Sequence, residues 1–412
     1  MSMVRSVDTI VQHDDERPAD LRIAGTFVAF LAGMVALSAS SVAVFGIRSQ
    51  GDPPIHFRWE SVFEGLFRYD GGWYAGIAQH GYHLVAGHQS NVAYFPAYPL
   101  AMRGIGALIG DTVLAGILVT AVAGCLGAVL AGRWMRLQNL SPQAVALGVA
   151  VMLLYPYSWF LYGVVYSDAL FLAAILAASL AVESDRIVLA GLLTIVATAD
   201  RPTGVSIAIG LTVLVAERRG VLRHDPETGP ALVRRFQFPN RIDVSRLQRR
   251  DGAILLGFAG LAGYMWYLHT EFGRALLFLD EQRYWGQESG VRTLVKAQYW
   301  WELTHFEHRS LVLTTTLQAV LLVAGLALVP FVGRRFGWGY ATFQLVLVAM
   351  PAIGSRDFMG TGRYLMVLFP THALVGEWLS GRSRRWRLGY LTISGSLLVV
   401  LAASFAHGVY LS

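Results

Sequence analysis

One polar island in this apolar chain is the clearest candidate for chemistry. Residues 68–82 contain Asp70, followed by two glycines, with Trp73, Tyr74 and His80 close by. A carboxylate is a group that takes or gives a proton in many catalytic sites. Asp70 could instead cap a short helix by accepting backbone N–H bonds, because aspartate is a preferred capping residue. The type and spacing of these residues leave both interpretations open.

Further charged residues stand near the ends of apolar segments. They are Asp168, the neighbours Asp200 and Arg201, Arg356, and Arg363 with Tyr364 beside it. Ionisable groups in or beside a membrane are costly, and they mark candidate functional sites. Simpler roles exist, since Asp168 could cap a helix and Asp200 could form a local salt bridge with Arg201. We expect these groups to share one cavity with Asp70, because all of them are predicted to lie on the same side of a membrane.

The elements that must position these residues are predicted to be membrane helices. The chain has 412 residues, of which 55% are hydrophobic and only 15% are charged, whereas a soluble domain carries about a quarter charged residues. The surplus apolar surface indicates contact with lipid. The sequence pI near 9.5 would also suit nucleic acid, but excess arginine in a membrane protein more often marks cytoplasmic loops. We therefore expect no nucleic-acid partner.

About eleven apolar runs are long enough to cross roughly 30 Å of hydrocarbon. Residues 1–20 are predicted to be a disordered cytoplasmic tail, and residues 21–412 a single transmembrane domain. The predicted spans are 21–47, 105–132, 142–163, 166–182, 187–200, 203–217, 253–270, 311–332, 338–353, 364–380 and 388–410. The sequence thus predicts an all-α polytopic membrane protein.

Charge distribution predicts the orientation of these spans. Most of the 33 Lys and Arg residues fall on one side if the N-terminus is cytoplasmic, in agreement with the positive charge of cytoplasmic loops. Residues 48–104 and 271–310 are then long outer loops rich in aromatic residues, and residues 218–252 form a basic inner loop. The aromatic residues could simply lie at the membrane interface. In a bacterium such a protein would lie in the plasma membrane.

Five sequence motifs resemble those of the PIG-V-like mannosyltransferases, which are polytopic glycosyltransferases of the GT-C class. The motifs are RYDGGWY with HGY at 68–82, FPAYPL at 95–100, YSDALF at 166–171, ADRPTG at 199–204 and GRY with FP at 362–370. They follow the family's order and cover scattered parts of residues 55–380. The chain departs from the family at Asp168, where Glu is expected, and at Asp200, where a hydroxyl residue is commoner.

The resemblance implies a GT-C-like bundle with a long first outer loop. It also implies inverting transfer of mannose, or a related hexose, from a polyprenyl-phosphate donor to an acceptor hydroxyl on the outer face of the membrane. Asp70 is then the expected general base, which would supply about 10²–10⁴-fold in rate. The expected substrate-binding residues are Arg68, Trp73, Tyr74, His80, Tyr98, Asp168, Asp200, Arg201, Arg356, Arg363 and Tyr364.

These residues divide by chemistry. The arginines suit phosphate oxygens, the aromatic rings suit a sugar and prenyl path, and His80 could bind substrate or merely fix the loop. No cofactor is required and no metal site is predicted, although a divalent ion remains open. The acceptor could be a glycolipid, a polysaccharide or a protein.

A transporter or flippase for a lipid-linked or small polar substrate would also fit intramembrane charges. A non-catalytic scaffold is a third class, but it has no evident use for so many charges. The chain shows no internal repeat of the kind common in transporters, and its charges lie near one face rather than at the midplane. Both observations favour the enzyme.

Overall fold

The described part of the chain is mostly α-helical. The computed structural model describes residues 4–47, 55–85, 87–225, 227, 230–287, 290–305 and 309–411, with the backbone alone at 4–16, 233, 309 and 310. Its helices are α1 Val4–Phe45, α2 Glu60–Phe63, α3 Asp70–His80, α4 Ala97–Ile109, α5 Thr112–Leu137, α6 Pro142–Leu153, α7 Asp168–Glu183, α8 Ile187–Asp200, α9 Gly204–Arg218, α10 Ala231–Phe236, α11 Ala259–Phe272, α12 Leu277–Gln282, α13 Val291–Leu294, α14 Ala297–His305, α15 Arg309–Phe336, α16 Trp338–Gly354, α17 Thr361–Leu365, α18 Phe369–Ser380 and α19 Arg384–Ala406.

Shorter elements complete the described chain. Two strands, β1 Leu222–Arg223 and β2 Arg241–Ile242, pair antiparallel, with Leu222 opposite Ile242. The 3₁₀ helices are Glu64–Leu66, Asn91–Ala93, Ser158–Leu161, Val244–Arg246, Arg249–Phe258 and Arg283–Trp285. The strands belong to the basic loop 218–252, so the all-α prediction is confirmed for the bundle itself.

Four helical segments are long and apolar enough to cross a membrane. They are Arg17–Phe45, Thr112–Leu137, Leu311–Phe336 and Arg384–Ala406. Shorter apolar helices accompany them at Ala97–Ile109, Pro142–Leu153, Ile187–Asp200 and Trp338–Gly354. These segments support a membrane protein, as the composition predicts.

Several predicted spans are divided into shorter helices at or near residues that end or begin a helix. The run 105–132 is divided between α4 and α5, because Gly110 ends α4 with a φ of 77° and Asp111 begins α5 by accepting the N–H of Leu114. The run 142–163 leaves the helix after Leu153, shortly before Pro156. The predicted span 364–380 is likewise split into α17 and α18, with Pro370 in the first turn of α18.

The N-terminal segment is helical, whereas the sequence analysis predicts disorder. Residues 4–20, expected to be disordered, are the first part of α1, and residues 1–3 lie outside the described chain. The charged residues of this segment did not prevent the helix from extending upstream of the apolar run. The cytoplasmic placement of this segment stays a prediction.

The bundle is built around three short helices. Helices α7, α8 and α9 have 16, 14 and 15 residues, and they pack in sequence, with α5 against α7 and α16 against α9. Bulky aromatic residues, among them Trp134, Tyr157, Tyr162 and Tyr166, are fully buried in this core. Gly362 lies so close to the Tyr157 ring that a side chain at this position would collide with it.

The bundle has two ends rich in charge. We call one the cavity end, where α7 and α9 begin, α8 and α16 end, and α17 lies. We call the other the opposite end, where Glu183 at the end of α7 contacts Arg218 at the end of α9 and Tyr340 near the start of α16. The loop before α3 and the first turn of α3 contribute to the cavity end.

Candidate functional site

Asp70 is the first residue of α3, and its carboxylate is held by side chains. Its Oδ1 accepts a hydrogen bond of 3.1 Å from the Tyr94 hydroxyl, and its Oδ2 lies 2.9 Å from Nη1 of Arg363. Its backbone N–H donates to the Tyr166 hydroxyl, 3.2 Å away. The recorded partners of the carboxylate are thus not the backbone N–H groups that a helix cap would engage.

Asp70 is one end of a chain of alternating charges. Arg363 also lies 3.9 Å from Asp168, Asp168 lies 2.8 Å from Arg201, and Arg201 lies 3.7 Å from Asp200. Both Asp168 and Asp200 are almost completely buried. The local Asp200–Arg201 contact predicted from sequence therefore exists, but the shorter contact of Arg201 is with Asp168. The structure brings together three carboxylates and two guanidinium groups from four separate regions of the chain.

The cluster is incompletely hydrogen-bonded. Within the described residues, Oδ2 of Asp168, both carboxylate oxygens of Asp200, Nε of Arg201 and Nε of Arg363 are buried without a hydrogen-bond partner. Buried polar groups are normally paired, and each exception in a native structure requires an explanation. A ligand bound against these atoms would provide one.

A cavity of about 900 Å³ lies against this cluster. Asp70, Asp200, Arg201 and Arg363 form a charged wall. Another wall is an apolar surface of α16, and its residues are spaced so that they share one side of the helix. This apolar wall consists of Leu345, Val346, Ala349, Met350 and Ile353. The cavity is therefore amphipathic.

Aromatic rings close the cavity around Asp70. Tyr74, Tyr94 and Trp285 line it, and Trp73 packs against the rings of Tyr94 and Trp285 at centroid distances of 6.0 and 5.2 Å. Burial raises the pKa of the Tyr94 hydroxyl well above its ordinary value. Tyr94 therefore keeps its proton and acts as a donor to Asp70.

The second aromatic loop is attached beside the same cavity. Lys296 donates from Nζ to the carbonyl oxygen of Ser355 at 2.6 Å, and Gln287 forms an isolated β-bridge with Ser355. Burial lowers the pKa of the Lys296 ammonium group to about 8. These contacts fix the loop that carries Trp285 onto the segment that follows α16.

The residues expected from sequence divide into two groups. Those that line the cavity are Asp70, Tyr74, Asp200, Arg201, Arg356, Arg363 and Tyr364. Asp168 joins them through its ion pairs, and Trp73 through its packing. Arg68, His80 and Tyr98 are not among the residues that line the cavity.

Each of these three residues lies elsewhere in the structure. Arg68 is buried and donates from Nε to the carbonyl oxygen of Ala406 at 3.1 Å. The Tyr98 hydroxyl is buried between the carbonyl oxygen of Gly116 and the hydroxyl of Thr120, at 2.9 and 2.8 Å. His80 is the exposed last residue of α3. The first two side chains therefore connect elements of the bundle.

Sequence reasoning did not select most of the cavity residues as site residues. Among those it missed are Tyr94, Thr203, Trp285 and Tyr410. Tyr94 and Trp285 belong to the aromatic loops, and Thr203 lies in the ADRPTG motif, so local signals existed for them. Tyr410 reaches the cavity from beyond α19, and no local sequence signal indicates this.

Neither a metal site nor a relative identifies this cavity. Among the described residues, no group of three or more His, Cys, Asp or Glu side chains could hold a metal ion. No family model matches the chain, and neither a curated protein nor a solved structure matches it.

Proposed function

We propose that this protein is an inverting glycosyltransferase that moves mannose, or a related hexose, from a polyprenyl phosphate to an acceptor hydroxyl. The observation that carries the proposal is the amphipathic cavity, which has buried charges on one wall and an apolar helix face on the other. A sugar phosphate attached to a hydrocarbon chain has the same division of polarity. The resemblance to PIG-V-like mannosyltransferases points to the same substrate class.

The apolar wall suits the prenyl chain. Leu345 and Ile353 line the cavity, yet they are 46% and 58% exposed at the surface of the protein. The wall therefore continues from the cavity to the outside of the bundle, where lipid would surround a membrane protein. A prenyl chain could lie along α16 while its phosphate reaches the charged wall.

The charged wall suits the phosphate and its departure. Arg201 and Arg363 line the cavity from within, and the exposed side chain of Arg356 lines it as well. When the bond between the sugar carbon and the phosphate oxygen breaks, that oxygen keeps the electron pair and gains negative charge. Guanidinium groups placed beside it would stabilise this charge in the transition state.

Asp70 is suited to the role of general base. As the acceptor oxygen bonds to the sugar carbon, its proton would pass to the carboxylate of Asp70. Tyr94 and Arg363 hold this carboxylate in position.

The wider arrangement belongs to the same proposal. The chain would cross the membrane about eleven times, with the N-terminus in the cytoplasm and the cavity on the outer face. In a bacterium the membrane would be the plasma membrane. The acceptor would be a glycolipid, a polysaccharide or a protein, and the reaction would need no cofactor.

A transfer assay tests the proposal. Purified protein in lipid nanodiscs would be incubated with radiolabelled polyprenyl-phosphate mannose and a crude lipid or protein acceptor. We expect labelled product from the wild type and a loss of about 10²–10⁴-fold for Asp70→Asn. The matched control is Asp20→Asn, because Asp20 is also a carboxylate held by two arginines, Arg133 and Arg136.

Two results would contradict the proposal. Near-normal transfer by folded Asp70→Asn would remove Asp70 as the base. Movement of intact labelled substrate across vesicles, without a new glycosidic bond, would identify a transporter instead.

A further inference from the structure

The turn between α8 and α9 places two polar side chains in the cavity. Asp200 is the last residue of α8, and Thr203 immediately precedes α9. Between them, Arg201 has an extended backbone with φ of −162°, and Pro202 prevents one continuous helix. Asp200 and Thr203 both line the cavity.

The Asp200 carboxylate is buried without a hydrogen bond. Its residue is 1% exposed, and neither oxygen has a hydrogen-bond partner among the described residues. Nε of Arg201 is 3.7 Å away, and the Ser167 hydroxyl interacts with the carboxylate outside hydrogen-bonding geometry. Protonation would not satisfy the group, because a neutral carboxyl also needs partners for its donor and acceptor.

Thr203 provides a second, independent observation. It occupies the N-cap position of α9, where a threonine oxygen commonly accepts a backbone N–H bond. Here its side chain makes no capping bond, and Oγ1 is buried without a partner. Two neighbouring residues of the cavity lining therefore carry polar groups whose hydrogen-bonding capacity is unused among the described residues.

The charges around this pair indicate the chemical class of its ligand. Arg201 lies beside both Asp200 and Asp168, so a bound cation would be repelled by the guanidinium group. An anion placed directly against Asp200 would be repelled by its carboxylate. Neutral hydroxyl groups fit, since they donate to a carboxylate and also bond with a threonine hydroxyl.

We propose that Asp200 and Thr203 form a subsite that binds adjacent hydroxyls of the transferred sugar. This inference rests on the proposed function, in which the neighbouring Arg201 binds the phosphate that carries the sugar. The sugar ring is one bond from that phosphate, so its hydroxyls fall within reach of the two side chains. The subsite would thus select the sugar, while the arginines would select the phosphate.

A series of donors that each lack one sugar hydroxyl tests the subsite. With wild-type protein, we expect one or two of these deoxy donors to lose at least about 10-fold in kcat/KM, because a site built to bond a hydroxyl rejects the analogue without it. Asp200→Asn and Thr203→Val should lose activity with the complete donor. Each variant should show little further loss with the deoxy donor that lacks the hydroxyl bound by the substituted side chain. Thr212→Val is the matched control, since that hydroxyl bonds within α9 to the carbonyl oxygen of Ala208.

The possible outcomes separate this inference from the proposed function. If wild type uses the complete donor but the penalty for every deoxy donor is unchanged in both variants, the subsite is overturned and the transferase remains. The subsite would also be overturned if the two variants changed the loss in kcat/KM caused by deoxy acceptors and left the loss caused by deoxy donors unchanged. If the wild type transfers from no polyprenyl-phosphate sugar, the proposed function fails, and the sugar subsite fails with it.

Discussion

The two ends of the helix bundle contain the same types of charged residue in different arrangements. At the opposite end, Glu183 accepts hydrogen bonds from Arg218, Gln138 and Tyr340. Arg335 likewise holds Glu377 with contacts of 2.8 to 3.0 Å. At the cavity end, the carboxylates and guanidinium groups meet in a similar way, but the buried unpaired atoms there include carboxylate oxygens. At the opposite end, Arg136 also has two unpaired buried nitrogens, whereas the carboxylates of Glu183 and Glu377 are paired.

The two ends also differ in the space beside their charged groups. Aromatic packing leaves little space at the opposite end, where Trp134 lies 5.0 Å from the ring of Tyr340 and 4.8 Å from that of Phe369. The cavity end instead borders a volume of about 900 Å³. Residue type alone therefore does not distinguish the two ends, whereas the cavity beside the incompletely paired charges does.

The largest expected effect comes from removing one arginine at each end. Arg363→Gln should lower kcat by about 10²–10³-fold, the usual cost of losing one group that stabilises transition-state charge. Arg335→Gln should leave kcat per folded molecule unchanged, because Arg335 contacts Glu377 away from the cavity. The measurement is sugar transfer at saturating donor, normalised to the folded fraction. Equal losses of kcat in both variants would show that the arginines of the two ends do not differ in their effect on transfer.

Smaller effects are expected on the stability of two carboxylate variants, one of which should lose stability and the other gain it. Glu183→Gln should lower the free energy of unfolding by about 1–3 kcal/mol, because three donors lose a charged acceptor. Asp200→Asn should raise it by about 0.5–2 kcal/mol, since it replaces a buried carboxyl group that has no hydrogen-bond partner among the described residues. Thermal unfolding in one detergent measures both. A loss of stability in Asp200→Asn would show that its carboxylate is structural.

The smallest expected effect concerns acid stability at the opposite end. Hydrogen bonds from Arg219 lower the pKa of the Asp251 carboxylate below its usual value. The folded protein therefore holds this proton less tightly than the unfolded chain does. The stabilisation is complete above the unfolded pKa of about 3.9 and is lost as the pH falls through the lower folded value.

Wild-type protein should accordingly lose more thermal stability between about pH 5 and pH 3 than Asp251→Asn does, because the variant lacks this titration. Arg219→Gln should flatten the same acid limb, since it removes the principal partner. An acid limb of equal steepness in all three proteins would assign the loss to other groups. The comparison is made with unfolding midpoints at fixed ionic strength.

Local sequence patterns predicted much of the bundle and the location of its charged end. The runs 187–200 and 203–217 correspond closely to α8 and α9, because a uniform apolar run with a clear stop favours one helix. Asp168, Asp200 and Arg363 occur at helix ends or in short helices beside them. We expected these residues to meet because all of them were predicted to lie on the same side of a membrane.

Contacts between distant parts of the chain could not be predicted in the same way. Arg68 resembles a phosphate ligand in sequence, yet it bonds to the carbonyl oxygen of Ala406, 338 positions away. Tyr98, which was expected to bind substrate, is buried in the bundle, whereas Tyr410, which sequence reasoning did not select, lines the cavity. Such roles depend on tertiary packing, which a single sequence does not encode by spacing.

The short helices α7, α8 and α9 affect the depth at which substrates would meet. With 14 to 16 residues each, they extend only about 21–24 Å at 1.5 Å per residue. A typical hydrocarbon layer is about 30 Å thick. If the opposite end lies at one membrane surface, the charged wall lies several ångströms below the other. The thickness of the surrounding bilayer would then set how far a water-soluble acceptor must descend, so lipid composition itself would influence access to Asp70.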